Sequence, residues 1–296
     1  MEEVLRQAGD RWVVRAGIVF EPVRPTLLPP WTGKVVKTLV LGEPCMEPVR
    51  GVFGVARSFK PARVTPLYRD GRSLYRTGRE GSPLVAGPGE ELYAEVSFVS
   101  SNPLAAHQVG SCMGRVPPPW EGLRYRVVGV EARRVSSLGA DIGRGQRVRI
   151  ELRTPTLLAT KTPLPPVTWA RRLSRLVPPA HRLVPSPGYI LAAAARTLEG
   201  ALLGEEAVLS PLSWRAYLLG EVGVAEEAFS LRAETVMYAG GRRGPRLVRG
   251  VRGWLLLRPL TRGVARMMEV LLPVAELLGI GRSRAIGFGA VRFSIE

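Results

Sequence analysis

The stretch that most limits what this chain can fold into lies near its C-terminus: Gly279-Ile280-Gly281-Arg282-Ser283-Arg284-Ala285-Ile286-Gly287-Phe288-Gly289. Two glycine-apolar-glycine units bracket five residues. Glycine tolerates positive φ and lets a ligand approach where a Cβ would block it. The interleaved Ile280 and Phe288 can turn inward and anchor the loop. Before it, Val264, Met267, Met268, Leu271, Leu272, Ala275 and Leu278 follow a helical period; after it, Val291, Phe293 and Ile295 alternate as in a strand. The order is therefore helix, glycine loop, strand. A nucleotide phosphate loop runs from strand to helix, so that the helix N-terminus faces the phosphate. Order and spacing both exclude that reading.

The rest of the chain supplies the frame. Trp12 to Phe20 reads as a strand, and prolines 22, 25, 29 and 30 punctuate the loop after it. Trp31 to Leu41 reads as a short helix with Val35, Val36, Leu39 and Val40 inward and Thr32 as N-cap. Lys34 and Lys37 lie three apart and share one helical face. Strands are expected at Val52–Phe59, Ser73–Arg79, Glu91–Val99 and Leu123–Val135, with a helix opening at Pro103–Gln108. A polar break at Ser136–Gly145 separates the halves. The second half begins with a strand at Arg147–Leu152. Helices are expected at Trp169–Leu176 and Tyr189–Leu203. A strand pair follows, Glu221–Tyr238 and Arg246–Arg258, turning at Gly240, Gly241 and Gly244. Pro273 is expected to kink the last helix. Strand-helix-strand units written twice predict an α+β chain of two tandem ferredoxin-like domains, related to RNA-recognition modules, at residues 1–145 and 146–296.

Charge points to a partner. The 296 residues carry a net charge of +17, and only four of the 42 basic residues are lysine. From Thr235 to Met268 there is no acid but there are eight arginines, among them Arg242, Arg243, Arg246, Arg249 and Arg252. From Leu152 to Leu198 there is again no acid, with six arginines and Lys161. Two acid-free basic tracts predict a nucleic-acid surface. Cys45 and Cys112 have no metal spacing, so neither a disulfide framework nor a zinc site is expected. The scattered acids offer no carboxylate cluster for a metal-dependent nuclease; no metal and no cofactor is expected. Acids at the N-terminus and the lack of a long apolar run predict a soluble cytoplasmic protein without a membrane partner. Trp31, Trp169, Trp214 and Trp254 suit a core better than a base-stacking surface, with Trp31 the one candidate for stacking.

The two glycine units at a C-terminus resemble the signature of the CRISPR-associated RAMP proteins, and more specifically the endoribonuclease of that group that cuts precursor CRISPR RNA within its repeats. Three further segments are similar to that family: Lys60-Pro61-Ala62-Arg63-Val64-Thr65-Pro66-Leu67, with Ala62 and Thr65 at its aromatic and serine positions; Thr154 to Leu158; and Arg249 to Leu257. The resemblance implies cleavage without a metal, in which a 2′-hydroxyl attacks the adjacent phosphate to leave a 2′,3′-cyclic phosphate and a 5′-hydroxyl. Many members use a histidine near the first helix. Here the only histidines are His107 and His181, outside that region. Some archaeal relatives rely instead on lysine and arginine, which implies Lys34 and Lys37 as catalytic, with Arg252 and Ser283 at the scissile phosphate. RNA is expected along Arg242, Arg243, Arg246 and Arg249, and at Gly279, Gly281, Arg282, Arg284, Gly287 and Gly289. CRISPR repeat RNA is the implied partner; other CRISPR-associated proteins and a second copy of the chain stay open. The rival reading is a RAMP subunit that holds CRISPR RNA in an effector complex without cutting. The missing early histidine favours it and the paired lysines oppose it. A ribosome-associated RNA-binding protein is a third reading, opposed by the glycine units.

Overall fold

The computed structural model describes residues 10–54, 60–78, 83–176, 180–200, 210–239 and 245–296. In the first half, β1 (Trp12–Pro22) is the central strand. It pairs antiparallel with β3 (Leu92–Ser100) on one side and β4 (Leu123–Arg134) on the other; β2 (Ala62–Val64) pairs outside β3. Helices α1 (Gly33–Gly42), α2 (Glu47–Gly54) and α3 (Ala105–Gly110) cover the sheet. Buried Val14, Ala16, Ile18 and Phe20 on β1 meet Val35, Val36, Leu39 and Val40 of α1 in one core.

The second half repeats this order. Strand β5 (Val148–Thr156) lies between β7 (Pro245–Pro259) and β8 (Val291–Ile295), and β6 (Val224–Ala239) pairs outside β7. Its helices are α4 (Thr168–Leu176), α5 (Pro187–Leu198), α6 (Pro211–Gly223) and α7 (Arg262–Leu278). Both halves therefore show the spatial order 2-3-1-4 of a β-α-β-β-α-β unit: two ferredoxin-like domains in tandem. Helix α7 keeps its apolar stripe (Val264, Met267, Met268, Leu271, Leu272, Ala275, Leu278) buried, and runs through Pro273 to Leu278.

Five expectations need correcting. Residues 47–54, assigned partly to a strand, form α2, because Val49 and Phe53 bury at helical spacing; residues 55–59 lie outside the described ones. Strand β6 starts at Val224, since 221–223 finish α6. Helix α6 was missed although Ser210-Pro211 marks its start: the Ser210 hydroxyl accepts from the Ser213 amide at 2.8 Å. Thr32 does not cap α1 with its side chain; its hydroxyl donates to the Leu74 carbonyl at 2.5 Å and accepts from the Leu67 amide at 2.9 Å. The two cysteines form a disulfide, Cys45–Cys112, closing a loop of 67 residues in sequence separation. It ties the segment after α1 to the turn after α3, where no disulfide was expected.

Candidate functional site

The C-terminal glycine loop is built from its own backbone. The Ile280 amide donates to the Gly289 carbonyl at 2.9 Å and the Gly289 amide to Pro155 at 3.2 Å. Gly289 has φ 70°, and a Cβ there would sit 1.9 Å from the Ile280 carbonyl oxygen. No other residue fits. The two apolar residues point inward as expected: Ile280 and Phe288 are fully buried. Gly279, Gly287 and Gly289 are buried as well. The expectation that their missing side chains admit a ligand is corrected, since what approaches them is this protein's own backbone at Gly289, Pro66 and Ile280.

Phe288 stacks on Trp31 at 4.0 Å between ring centroids, and the Trp31 indole Nε1 donates to the Ile286 carbonyl. Such stacking adds about 0.5–1.5 kcal/mol beyond area burial. Trp31 is therefore a core residue, not a stacking platform for bases. It joins the last loop to the start of α1. The next contact is tighter still: a Cβ on Gly33 would lie 2.2 Å from the Ile286 carbonyl oxygen. Backbone packs on backbone, which puts Lys34, the following residue, at the seam between the domains.

Three lysines gather there. Burial, then the charge of Lys37, lower the pKa of Lys34. Burial, then the same Lys37 charge, also lower that of Lys60. Lys37 is thus the shared neighbour of both. Lys60 was not among the site residues expected from the sequence. Its only sequence signal was the Lys60–Leu67 segment, with no spacing that ties it to α1. Its ammonium donates to the Phe53 carbonyl at the end of α2.

The loop arginines divide. Arg282 and Ser283 are exposed, and Ser283 holds positive φ (62°) at the loop's crest. Arg284 is buried; it donates to the Leu278 carbonyl at 2.8 Å and to the Lys60 carbonyl at 3.2 Å. Its expected role in gripping RNA is corrected: it buttresses the loop and positions Lys60. Burial, then nearby Arg63, lower its pKa to about 10. Arg63, itself buried, donates to the Glu276 carbonyl at 2.9 Å and pairs with Glu95 at 2.8 Å. Burial alone would raise the Glu95 pKa, but Arg63 and Arg15 outweigh it and hold the carboxyl below its usual range.

Arg252 approaches the same seam from β7. Its Nη1 donates to the Tyr75 hydroxyl at 2.8 Å, and that hydroxyl donates to Glu234 at 2.5 Å. Burial, then the Glu234 hydrogen bond, push the Tyr75 pKa up. Tyr75 lies 5.1 Å from Trp31 between ring centroids. Arg249 and Arg246 are exposed further along β7, while Arg242 and Arg243 lie outside the described residues. The seam is thus bordered by lysines on α1 and after α2, by Arg252 on β7, and by Arg282 and Ser283 in the loop.

His107 is exposed on α3. His181 borders the loop: it pairs with Ala159 in a two-residue ladder, and the preceding Leu157 bridges Arg282. Burial, then the charge of Arg282, lower its pKa. Among the described residues no three of histidine, cysteine, aspartate and glutamate gather as a metal site, and no helix is long and apolar enough to cross a membrane.

Comparison with known proteins finds two family models in succession. The Cas6 N-terminal domain matches residues 14–132, and the CRISPR-associated endoribonuclease Cas6 matches residues 150–291. Two curated relatives from Saccharolobus solfataricus match nearly end to end. CRISPR-associated endoribonuclease Cas6 1 is 24% identical over 95% of this chain and 96% of its own. Cas6 2 is 25% identical over 96% of each. Among solved structures, a Cas6 product complex superposes with a TM-score of 0.58 at 17% identity, over 95% of this chain and 99% of that one. That last likeness is one of fold.

Proposed function

Because the chain belongs to the Cas6 family of CRISPR-associated endoribonucleases, which process precursor CRISPR RNA, we propose that it cuts repeat RNA without a metal, at the seam between domains 1–145 and 146–296. The carrying observation is the lysine group: Lys34 follows Gly33, which packs on the loop's Ile286, the Lys60 carbonyl accepts from the loop's Arg284, and the charge of Lys37 bears on both lysines. An amine must lose its proton near neutral pH to act as a base, and burial beside a second cation favours that.

In the reaction, a neutral lysine removes the proton of the 2′-hydroxyl. The freed oxygen forms a bond to phosphorus, giving the 2′,3′-cyclic phosphate. The bond from phosphorus to the 5′-oxygen breaks, and a second, protonated lysine supplies the proton to that oxygen. Arg252 and the Ser283 hydroxyl face the phosphate oxygens, where charge accumulates in the transition state. The fork of an arginine suits two such oxygens at once. Arg252 is pre-oriented by Tyr75 and Glu234. Arg282, Arg249 and Arg246 hold the flanking phosphates. No histidine is assigned to this chemistry, in keeping with the archaeal lysine-dependent members that the sequence resembles.

The test is incubation of the purified protein with end-labelled CRISPR repeat RNA in EDTA. One cut leaving a 2′,3′-cyclic phosphate and a 5′-hydroxyl is expected. Cleavage that appears only when a divalent metal is added back would overturn the proposal, as would binding without any cut.

A further inference from the structure

A second basic element stands beside this seam and is not used by the reaction. Between the short strands Leu158–Ala159 and His181–Arg182 the chain makes an excursion that carries α4. The base of the excursion is joined to the glycine loop: Leu157 bridges Arg282, and the Arg282 amide donates to the Leu157 carbonyl at 3.0 Å. The excursion contains no acid.

Among the described side chains of α4, a thin edge turns to the protein. Ala170 and Ser174 are buried, and Lys161 donates to the Ser174 carbonyl. On the other face Trp169 is 60% exposed, with Leu173 at 39% and Leu176 at 79%. These sit at i, i+4 and i+7, one stripe of a helix. Arg172 and Arg175, both exposed, run along its flank. Trp169 is the one tryptophan of the six in the exposed class. The expectation that it belongs to the core is overturned.

A solvent-facing indole flanked by arginines combines the two parts of single-strand RNA binding, a stacking surface and phosphate cations. A second copy of the chain suits the stripe less well, because a symmetric contact would bring like-charged Arg172 and Arg175 flanks together. The base of the excursion, Leu157, is hydrogen-bonded to Arg282, which ties the segment carrying α4 to the loop of the proposed cleavage seam. We propose that α4 is a second RNA-contact element: Trp169 stacks on an unpaired base of the bound repeat outside the scissile nucleotides, while Arg172 and Arg175 take the adjoining phosphates. This rests on the reading of the seam as a repeat-RNA site.

The experiment uses the full chain and end-labelled repeat RNA. Affinity is titrated over a range of salt, and cleavage is followed in single turnover at saturating protein. Trp169→Ala is expected to weaken affinity about tenfold, with Trp169→Phe close to wild type, as one lost stack requires. Arg172→Ala with Arg175→Ala should reduce the slope of log affinity against log salt by about 1.4, for two single-strand phosphate contacts. The saturated cleavage rate should not change in any of these. All three positions are exposed, so the variants keep the fold. Affinity and salt slope equal to wild type would overturn the proposal while leaving the cleavage site standing. A change in sedimentation without a change in affinity would overturn it in favour of a protein interface. Wild-type protein that neither binds nor cuts the repeat would sink the functional reading and this inference with it.

Discussion

The glycine loop and helix α1 pack backbone on backbone where Gly33 meets Ile286, yet they serve opposite ends. The loop is the more conspicuous in sequence, and nearly all of it is construction: three of its four motif glycines are buried, Ile280 and Phe288 face inward, and Arg284 is spent on two carbonyls. Helix α1 is an ordinary amphipathic helix of nearly three turns by pattern, and it carries Lys34, whose pKa is lowered by burial and then by the Lys37 charge on the same helix. The difference teaches that the recognisable motif is the mount. The lysines proposed to react come from elements which that mount brings within reach.

Removing the chemistry from the helix should have the largest effect. Lys34→Ala with Lys37→Ala is expected to slow single-turnover cleavage by about 10²- to 10⁴-fold, the usual worth of general acid–base groups. Affinity for repeat RNA should fall only modestly, because about two phosphate contacts among several are lost. Equal losses in rate and affinity would reduce the pair to anchors and erase the contrast with the loop.

Loosening the helix's support comes next. The Cys45–Cys112 bond closes a 67-residue separation shortly after α1. By the chain-entropy account, opening it with Cys45→Ser costs about 4 kcal/mol of stability, read from denaturant unfolding of the oxidised wild type beside the variant. An unchanged midpoint would show that the bond carries no stability in solution.

Damage to the mount should look different from damage to the helix. Gly289→Ala forces a Cβ against the Ile280 carbonyl at a φ of 70°. About 3 kcal/mol of stability should be lost, and cleavage and affinity should fall together as the seam opens. Loss of rate alone, with normal unfolding, would assign the glycine a chemical role after all.

The smallest effect is a displacement in pH. Burial, and then the charge of Lys37, lower the pKa values of Lys34 and Lys60, so each loses its proton at lower pH than a free lysine does. If the base is one of these, cleavage rises with pH through its lowered pKa; if the acid is, cleavage falls there. Lys37→Ala removes the repelling charge, raises both pKa values and moves either limb toward higher pH. A rate that stays flat from about pH 6 to about 10 in both proteins would exclude a titrating lysine.

Much of this frame was legible because it depends on local periodicity. Trp12–Phe20, Glu91–Val99 and Leu123–Val135 read as strands, and the stripe from Val264 to Leu278 read as a helix, from spacing that burial then enforces. Pattern failed where two structures share one signal. Val49 and Phe53 suit a helix face, while the pattern starting at Val52 also suits a strand, and Val52 to Gly54 belong to α2. Ser210-Pro211 marks a helix start that went unread. In the proposed site, Lys34 and Lys37 could be singled out because they sit three apart on one helix. Lys60 could not, since nothing along the chain ties it to them.

By itself the sequence determined the two β-α-β-β-α-β halves, the inward turn of Ile280 and Phe288 and the basic character of the surface. Each follows from residue order and composition within a short window. Only the tertiary structure decided that Trp31 is buried and Trp169 exposed, that Arg284 serves the interior while Arg282 faces solvent, and that Cys45 meets Cys112. These outcomes depend on which distant segment covers a side chain. The charge and size that a residue brings do not fix that.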